Sequence, residues 1–356
     1  MTALLTVENL SKSYTGSGGM FSAARTARVV SDVSFSLERG DVFALVGESG
    51  SGKTTIGRML LRLIEADAGR VTFDGIDIRA LDANGLRRLR RRIQIIFQDP
   101  FGSLDPRVRI GRAIAEPIRL HRLRPEGQIR NRVVELLELV GLNASHATRY
   151  PHEFSGGQRQ RVAIARALAV EPELIVCDEP VSALDLSIQA QVLNLLGDLR
   201  ARLGVSYVFI SHDMAVVRHL ATQIGVLYAG RMVETGPCET VLGDPRHPYT
   251  RMLLAATPSP VPGVRSDRAA IIGDPPSPFD AGAHCRFASR CVHAIDACRA
   301  GDPPLATVAP APRSTACLRS SELDPFAASD DSEVLMTDAY RRRLGLLRQA
   351  RLLSAC

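Results

Sequence analysis

An eight-residue run, Gly47-Glu48-Ser49-Gly50-Ser51-Gly52-Lys53-Thr54, constrains the fold of this chain more than any other feature. It fits the G-x-x-x-x-G-K-[ST] pattern of a backbone loop that wraps nucleotide phosphates. Its glycines let the chain turn tightly and bring successive N–H groups onto phosphate oxygens with no Cβ in the way. Lys53 supplies a point charge for the β- and γ-phosphates, and Thr54, ahead of Thr55, a hydroxyl for Mg²⁺. The flanks agree. Residues 41–46 (Asp-Val-Phe-Ala-Leu-Val) are a short apolar run that feeds into the loop, as a buried parallel strand should. From Lys53 onward, Ile56, Leu60, Leu61 and Ile64 recur at helical spacing.

The remaining pattern extends that strand–loop–helix unit. Residues 4–14 and 29–37 alternate apolar and polar side chains and predict a small antiparallel sheet, joined by a Gly/Ser/Ala-rich loop. Residues 70–78, 92–97, 173–178 and 205–211 read as further strands. Between 99 and 169 the period is helical: Ile129, Val133, Leu136, Leu137 and Val140 share one stripe, and Gly141 stands where a cap belongs. Strands alternating with helices indicate an α/β fold, a parallel sheet covered on both faces, with a helical insertion. Prolines crowd the chain after Thr257, which marks a boundary. Beyond Ser321 the stretch from Ser329 is acidic, and residues 340–353 read as a basic amphipathic helix.

A second chemical element closes the strand Leu174-Ile175-Val176-Cys177 with two carboxylates, Asp178 and Glu179. At the strand's carboxyl end, Asp178 can complete the Mg²⁺ shell that Thr54 begins, and Glu179 can polarise a water for in-line attack on the γ-phosphate. A third is Phe154-Ser155-Gly156-Gly157-Gln158, which opens a helix whose free N–H groups and positive dipole end suit a phosphate.

With these elements in order, residues 4–257 resemble the nucleotide-binding subunit of an ABC transporter. The resemblance implies a P-loop ABC ATPase domain: parallel-sheet core, antiparallel β subdomain and helical insertion. It implies that Ser155, Gly156, Gly157 and Gln158 are the family's signature, with Phe154 where Leu is more usual, and that they meet ATP held by a facing ATPase subunit. It assigns Gln98 to the loop touching Mg²⁺ and the attacking water, and Ser182, Ala183, Leu184 and Asp185 to the dimer seam. His212 is the γ-phosphate histidine and Tyr14 the adenine-stacking ring.

Three longer strings resemble the oligopeptide/dipeptide importer branch: Gln98-Asp99-Pro100-Phe101-Gly102-Ser103-Leu104-Asp105-Pro106-Arg107, Ala183 through Gln191, and His247-Pro248-Tyr249-Thr250. The Gly18-Gly19-Met20-Phe21 insertion is similar to that of one of the branch's two paralogous ATPases. Importers of nickel and other small solutes share much of this pattern. The implied partners are a second ATPase, a paralogue, together with two transmembrane permease subunits and an extracytoplasmic peptide-binding protein.

Cys285, Cys291, Cys298 and Cys317 stand with five, six and eighteen residues between them in a proline-rich segment of low apolar content. Thiolates there are expected to hold the segment together through a cross-link or a metal. The branch resemblance implies a [4Fe–4S] cluster, for which four cysteines are suitable ligands. Zn²⁺ is the alternative, and unligated thiols a third. The domain reading is therefore 1–257 for the ATPase with its insertion at about 99–170, 258–320 for the Pro/Cys-rich region, and 321–356 for a tail.

Composition narrows the partners. The formal charge is +6, but the basic residues are spread along the chain and almost all Arg, with Lys only at Lys12 and Lys53. No nucleic-acid partner is expected, and neither the long coiled coils nor the tandem cassettes of soluble ABC ATPases are present. A basic protein suits an anionic membrane face. No stretch approaches a bilayer span and the first residues lack a secretory pattern. The expected location is peripheral, on the cytoplasmic face of the cell membrane.

Overall fold

The computed structural model describes residues 3–15, 25–99, 102–256, 273–277, 279, 284–308, 312–324 and 326. The insertion at Gly18–Phe21, Pro100 and Phe101, the prolines at 258–262, the acidic stretch from Ser329, the segment 340–353 and Cys356 lie outside them.

Strands β1 (Leu5–Thr15) and β2 (Thr26–Leu37) pair antiparallel from Leu5↔Leu37 to Thr15↔Thr26. Next come β3 (Val42–Val46), α1 (Lys53–Leu60), β4 (Ala68–Phe73), β5 (Ile76–Asp77), α2 (Ala83–Arg92) and β6 (Ile93–Ile96). The single strand expected over 70–78 is a hairpin, because Asp74 and Gly75 turn the chain at φ 50° and 77°. The helical insertion holds α3 (Ile110–Leu120) and α4 (Glu126–Leu139), and leads into α5 (Gly156–Leu168). Its predicted stripe is buried throughout, and Gly141 has the left-handed φ of 73° that ends the helix. The chain continues with β7 (Leu174–Asp178), α6 (Leu186–Leu203), β8 (Ser206–Ser211), α7 (Met214–Leu220), β9 (Gln223–Tyr228), β10 (Arg231–Pro237), α8 (Cys238–Gly243) and α9 (Pro248–Ala256). A short α10 (Asp296–Ala300) and the strands β11 (Ala306–Val308) and β12 (Arg313–Thr315) follow.

Two sheets result: a four-stranded antiparallel one in the order β2-β1-β4-β5, and an eight-stranded one in the order β11-β12-β10-β9-β3-β8-β7-β6. From β9 to β6 the larger sheet is parallel and its strands are apolar on both faces. The alternation along β7 shows why. Leu174 and Val176 face α1 and the antiparallel sheet, whereas Ile175 and Cys177 face the helical insertion. Burial raises the Cys177 thiol's pKa, so it behaves as a packing group.

The cysteine-bearing segment does not hang from the core as a separate bead. β12 pairs with β10 at Glu234↔Thr315 and Thr235↔Ser314, and so extends the main sheet. Phe287 buries its ring against Tyr228, Tyr249 and His247. The expectation that only a cross-link or metal could hold this segment is thereby corrected. It borrows apolar surface from β9, β10 and α9, a source its own composition does not reveal.

The two sheets are joined at the end of β7 remote from the phosphate loop by four charges. Arg39 and Arg92 both bind Glu173, just before β7, and Asp74, in the β4–β5 turn. Hydrogen bonds from Arg92 first, and then Arg39, hold the Glu173 carboxyl below its ordinary 4.5. A depressed folded-state value means that its stabilisation is complete above pH 4.5 and disappears as pH falls through the lower value. The urea midpoint of the wild type should therefore fall below that pH more steeply than that of Glu173→Gln, and superimposable curves would remove the quartet from this role.

Candidate functional site

Strand register assembles the site. Val46 lies opposite Ser211, Asp178 opposite Ile210, and Ile96 opposite Cys177, so β3, β8, β7 and β6 end nearly level. The residues emerging there are, in spatial order, the phosphate loop, His212, Glu179 and Gln98. Carboxyl ends of parallel strands are where such sheets bind ligands.

The phosphate loop leaves β3 at Gly47, whose φ of 152° brings it against Leu227; a Cβ there would lie 2.1 Å from the Leu227 carbonyl oxygen. Gly52, at φ 100°, likewise leaves no room, since its Cβ would sit 2.5 Å from the Val29 oxygen. At both of these loop positions backbone crowding leaves room only for glycine. Ser49 and Gly50 form the exposed crown of the loop, and Ser51 is buried beneath it. Lys53 is 4% exposed and donates to the carbonyls of Gly47 (2.7 Å) and Glu48 (2.8 Å). Burial lowers its pKa, opposed by Glu179, Asp178 and Glu48. Thr54 donates its hydroxyl to Asp178 Oδ1 at 2.9 Å, with Thr55 next to it on α1. Burial raises the pKa of Asp178. A buried cation and a buried anion at one loop suit a charged ligand that compensates both, phosphate for the lysine and a divalent ion for the carboxylate.

Glu179 follows β7 in a left-handed conformation, φ 47°, an unusual backbone state for this residue type and one found at functional turns. Its Oε2 accepts from Gln98 Nε2 at 3.1 Å and lies 3.2 Å from His212 Nδ1. The three side chains named from sequence therefore meet. Ser182 donates its hydroxyl to the Glu179 carbonyl at 3.1 Å and opens the loop of Ala183, Leu184 and Asp185. Asp185 stands at the N-cap position of α6, its carbonyl accepting from the Gln189 N–H, and Leu186 beyond it is 81% exposed.

Ser155 and Gln158 form a reciprocal capping box at the start of α5: Gln158 N–H donates to Ser155 Oγ, and Ser155 N–H to Gln158 Oε1. Gly156 packs toward Leu184, and a Cβ on Gly157 would lie 2.2 Å from Ile188 Cγ2. That packing reason for a signature glycine was invisible in sequence. Tyr14 is 43% exposed near the open end of β1, paired with Ala27, two residues from the Val29 that abuts Gly52. Lys12 lies over its ring.

Sequence reasoning missed three residues on this loop. The Glu48 carboxylate is held by both Nη atoms of Arg290, each at 3.0 Å, and the Glu48 N–H by the Tyr249 hydroxyl at 2.8 Å. Tyr228 completes the cluster, its hydroxyl accepting from Arg290 at 3.2 Å. Tyr249 lies in one of the branch-like strings, which hinted at importance but not at this contact.

Cys285, Cys291, Cys298 and Cys317 line one small cavity with His247 and His293. The Cys285 N–H donates to the Cys298 carbonyl at 3.0 Å. Burial raises the thiol pKa of Cys285, Cys291 and Cys317, the last to about 11. None of the four is paired in a disulfide, and among the described residues no group of three or more Cys, His, Asp or Glu is arranged to hold a metal ion. The chain thus gathers the four donors without bringing them to ligand geometry.

Residues 30–182 match the family described as ABC transporter, and residues 233–298 the one described as oligopeptide/dipeptide transporter, C-terminal region. A Brucella abortus (strain 2308) protein named for peptide import ATP-binding is 50% identical over 320 residues, 90% of this chain and 99% of the relative. The dipeptide transport ATP-binding protein DppF of Escherichia coli (strain K12) is 44% identical over 302 residues, 85% of this chain and 90% of DppF. Among solved structures, cbiO1 of Clostridium perfringens, part of the ABC transporter complex cbiONQ, superposes with a TM-score of 0.59 at 27% identity. It covers 68% of this chain and 91% of that one. The ATP-binding cassette MJ0796, a dimer in a post-hydrolysis state with ADP and Pi, gives 0.59 at 29% identity, covering 66% and 98%.

The Gly157 contact is testable. Gly157→Ala must displace the start of α5 and should cut ATP hydrolysis about tenfold or more. Ile188→Ala, which removes the offending Cγ2, should restore most of it in the double variant, whereas Ile188→Val, which keeps that methyl, should not.

Proposed function

The chain belongs to the ABC transporter family, as the ATP-binding subunit of a peptide importer, and from that premise we propose how its residues drive the cycle. The observation that carries the proposal is the meeting of Glu179, Gln98 and His212 beside the Thr54–Asp178 pair at the phosphate loop.

Gly47 through Thr55 cradle the triphosphate, with Lys53 leaving the loop carbonyls for the β- and γ-phosphates, and Tyr14 stacks on adenine. Thr54, Gln98 and Asp178 would hold Mg²⁺, which when bound neutralises charge on the phosphate oxygens. Glu179 accepts a proton from the water that Gln98 orients, that water attacks the γ-phosphorus in line, and ADP leaves. His212 contacts the γ-phosphate and, through its bond to Glu179, keeps the base aimed. Ser155, Gly156, Gly157 and Gln158 face ATP bound by a second ATPase subunit, read here as a paralogue, with residues 182–185 along the seam.

No described helix is long and apolar enough to cross a membrane. Solute movement on this reading takes place in two permease subunits, fed by an extracytoplasmic peptide-binding protein, with this chain at the cytoplasmic face. The ATPase domain is 1–257, its insertion at about 99–170 carries the motion to the permeases, and 258–320 is the cysteine-bearing region. The donor chemistry of Cys285, Cys291, Cys298 and Cys317 suits a [4Fe–4S] cluster, with Zn²⁺ as the alternative. Their convergence on one cavity supports this, and their lack of ligand geometry stands against it.

Glu179→Gln should bind MgATP as the wild type does, lose nearly all turnover and accumulate as a closed dimer in sedimentation; wild-type turnover in that variant would remove Glu179 as the base. Ser155→Arg should block the facing subunit's nucleotide while this chain's own site still binds. Anaerobically purified full-length protein should contain about four iron and four sulfide per chain if the cluster reading holds. Folded, iron-free protein with or without zinc would end it.

A further inference from the structure

The phosphate loop is a conformationally loose segment held from outside. Gly47, Gly50 and Gly52 all have positive φ, at 152°, 79° and 100°. Glycines that permit such a path equally permit many others, so the loop's binding shape requires external anchors. Glu48 is where those anchors converge. Its carbonyl accepts from Lys53, its N–H donates to the Tyr249 hydroxyl, and its carboxylate takes a two-pronged bond from Arg290. Such a fork fixes orientation as well as position.

Arg290 comes from 242 residues away in the chain, on the segment between Cys285 and Cys291. Its side chain is 3% exposed, over the rings of Tyr228 and Phe287, and its Nη1 also donates to the Tyr228 hydroxyl. From the same segment Arg286 bonds the Ala229 carbonyl and Ser31 Oγ. Ala229 precedes Gly230, whose N–H donates to the Ser51 carbonyl in the phosphate loop. Two arginines of the cysteine-bearing segment thus brace the loop, one directly and one through the β9–β10 turn.

We propose that Arg290 is a positioning residue for ATP, and that through it the cysteine-bearing segment sets the affinity of the phosphate loop. The proposal rests on the ATP-binding reading of that loop. On this reading Arg290 acts through Glu48, whose carboxylate it holds. Its contribution is therefore to binding, equal in ground and transition state. Coupling of this kind is reciprocal: nucleotide on the loop must also steady the segment that carries Arg290.

The test uses the full-length chain, MgATP titration, steady-state hydrolysis and hydrogen exchange. Arg290→Ala should raise the Kd and KM for MgATP about tenfold or more while leaving kcat at saturation within about twofold. Arg290→Lys, which keeps the charge but not the fork, should fall between. Glu48→Gln should lose a similar amount, and the double variant little more than either single, because both break one contact. MgATP should slow amide exchange of residues 285–291 in the wild type and not in Arg290→Ala. An Arg290→Ala affinity within twofold of wild type overturns the proposal, as do additive losses or exchange indifferent to MgATP. If Arg290→Ala fails to fold, Arg290→Lys decides: an affinity within twofold of wild type overturns the clamp, and a raised Kd with exchange of residues 285–291 no longer slowed by MgATP upholds it. A wild-type chain that binds no MgATP would instead sink the ATP reading itself.

Discussion

The level ending of four parallel strands is the constraint on which the rest of this molecule depends. Because β3 and β7 are each in register with β8, and β6 with β7, one edge of the sheet delivers the phosphate loop, His212, Glu179 and Gln98 side by side. A shift of one residue in any pairing would send that strand's apolar side chains to the wrong face. The two-sided burial of β7, with Leu174 and Val176 in one core and Ile175 and Cys177 in another, makes such a shift costly. Packing of a featureless apolar strand thereby sets the position of the Glu179 carboxylate to within a hydrogen bond of Gln98.

The charged groups at this edge are held under tension. Lys53 and Asp178 are both buried, and burial disfavours the charged form of each. Lys53 directs its donors to the Gly47 and Glu48 carbonyls and the Ser51 hydroxyl, and Asp178 accepts from Thr54, contacts that a phosphate and a divalent ion would replace. Glu179 adds backbone strain in its left-handed conformation, held by its N–H bond to the Ile210 carbonyl. The opposite end of β7 is clasped instead by the compensated charges of Arg39, Arg92, Asp74 and Glu173.

The cysteine-bearing segment changes character in this light. Composition presents it as an appendage needing its own staple. Instead β12 continues the main sheet, Phe287 completes an aromatic cluster with Tyr228 and Tyr249, and Arg290 reaches the nucleotide loop. A segment so joined to the core is poised to influence it, whatever its four thiols hold.

What the sequence alone determined is the chemistry carried by neighbouring residues. The phosphate loop, the Asp178–Glu179 pair, the Ser155–Gln158 helix start and the buried strands were legible because each is a short pattern whose function follows from consecutive residues. The α2 helix was not, since its run of arginines hides the apolar period in Leu86 and Leu89. Only the tertiary structure decided that Gly157 must be glycine to clear Ile188, that β12 joins β10, and that one arginine in an arginine-rich chain grips Glu48. These are contacts between residues far apart along the chain, chosen by how packed surfaces meet. No local period records them, because the free energy that selects them belongs to the assembled core and not to any one segment.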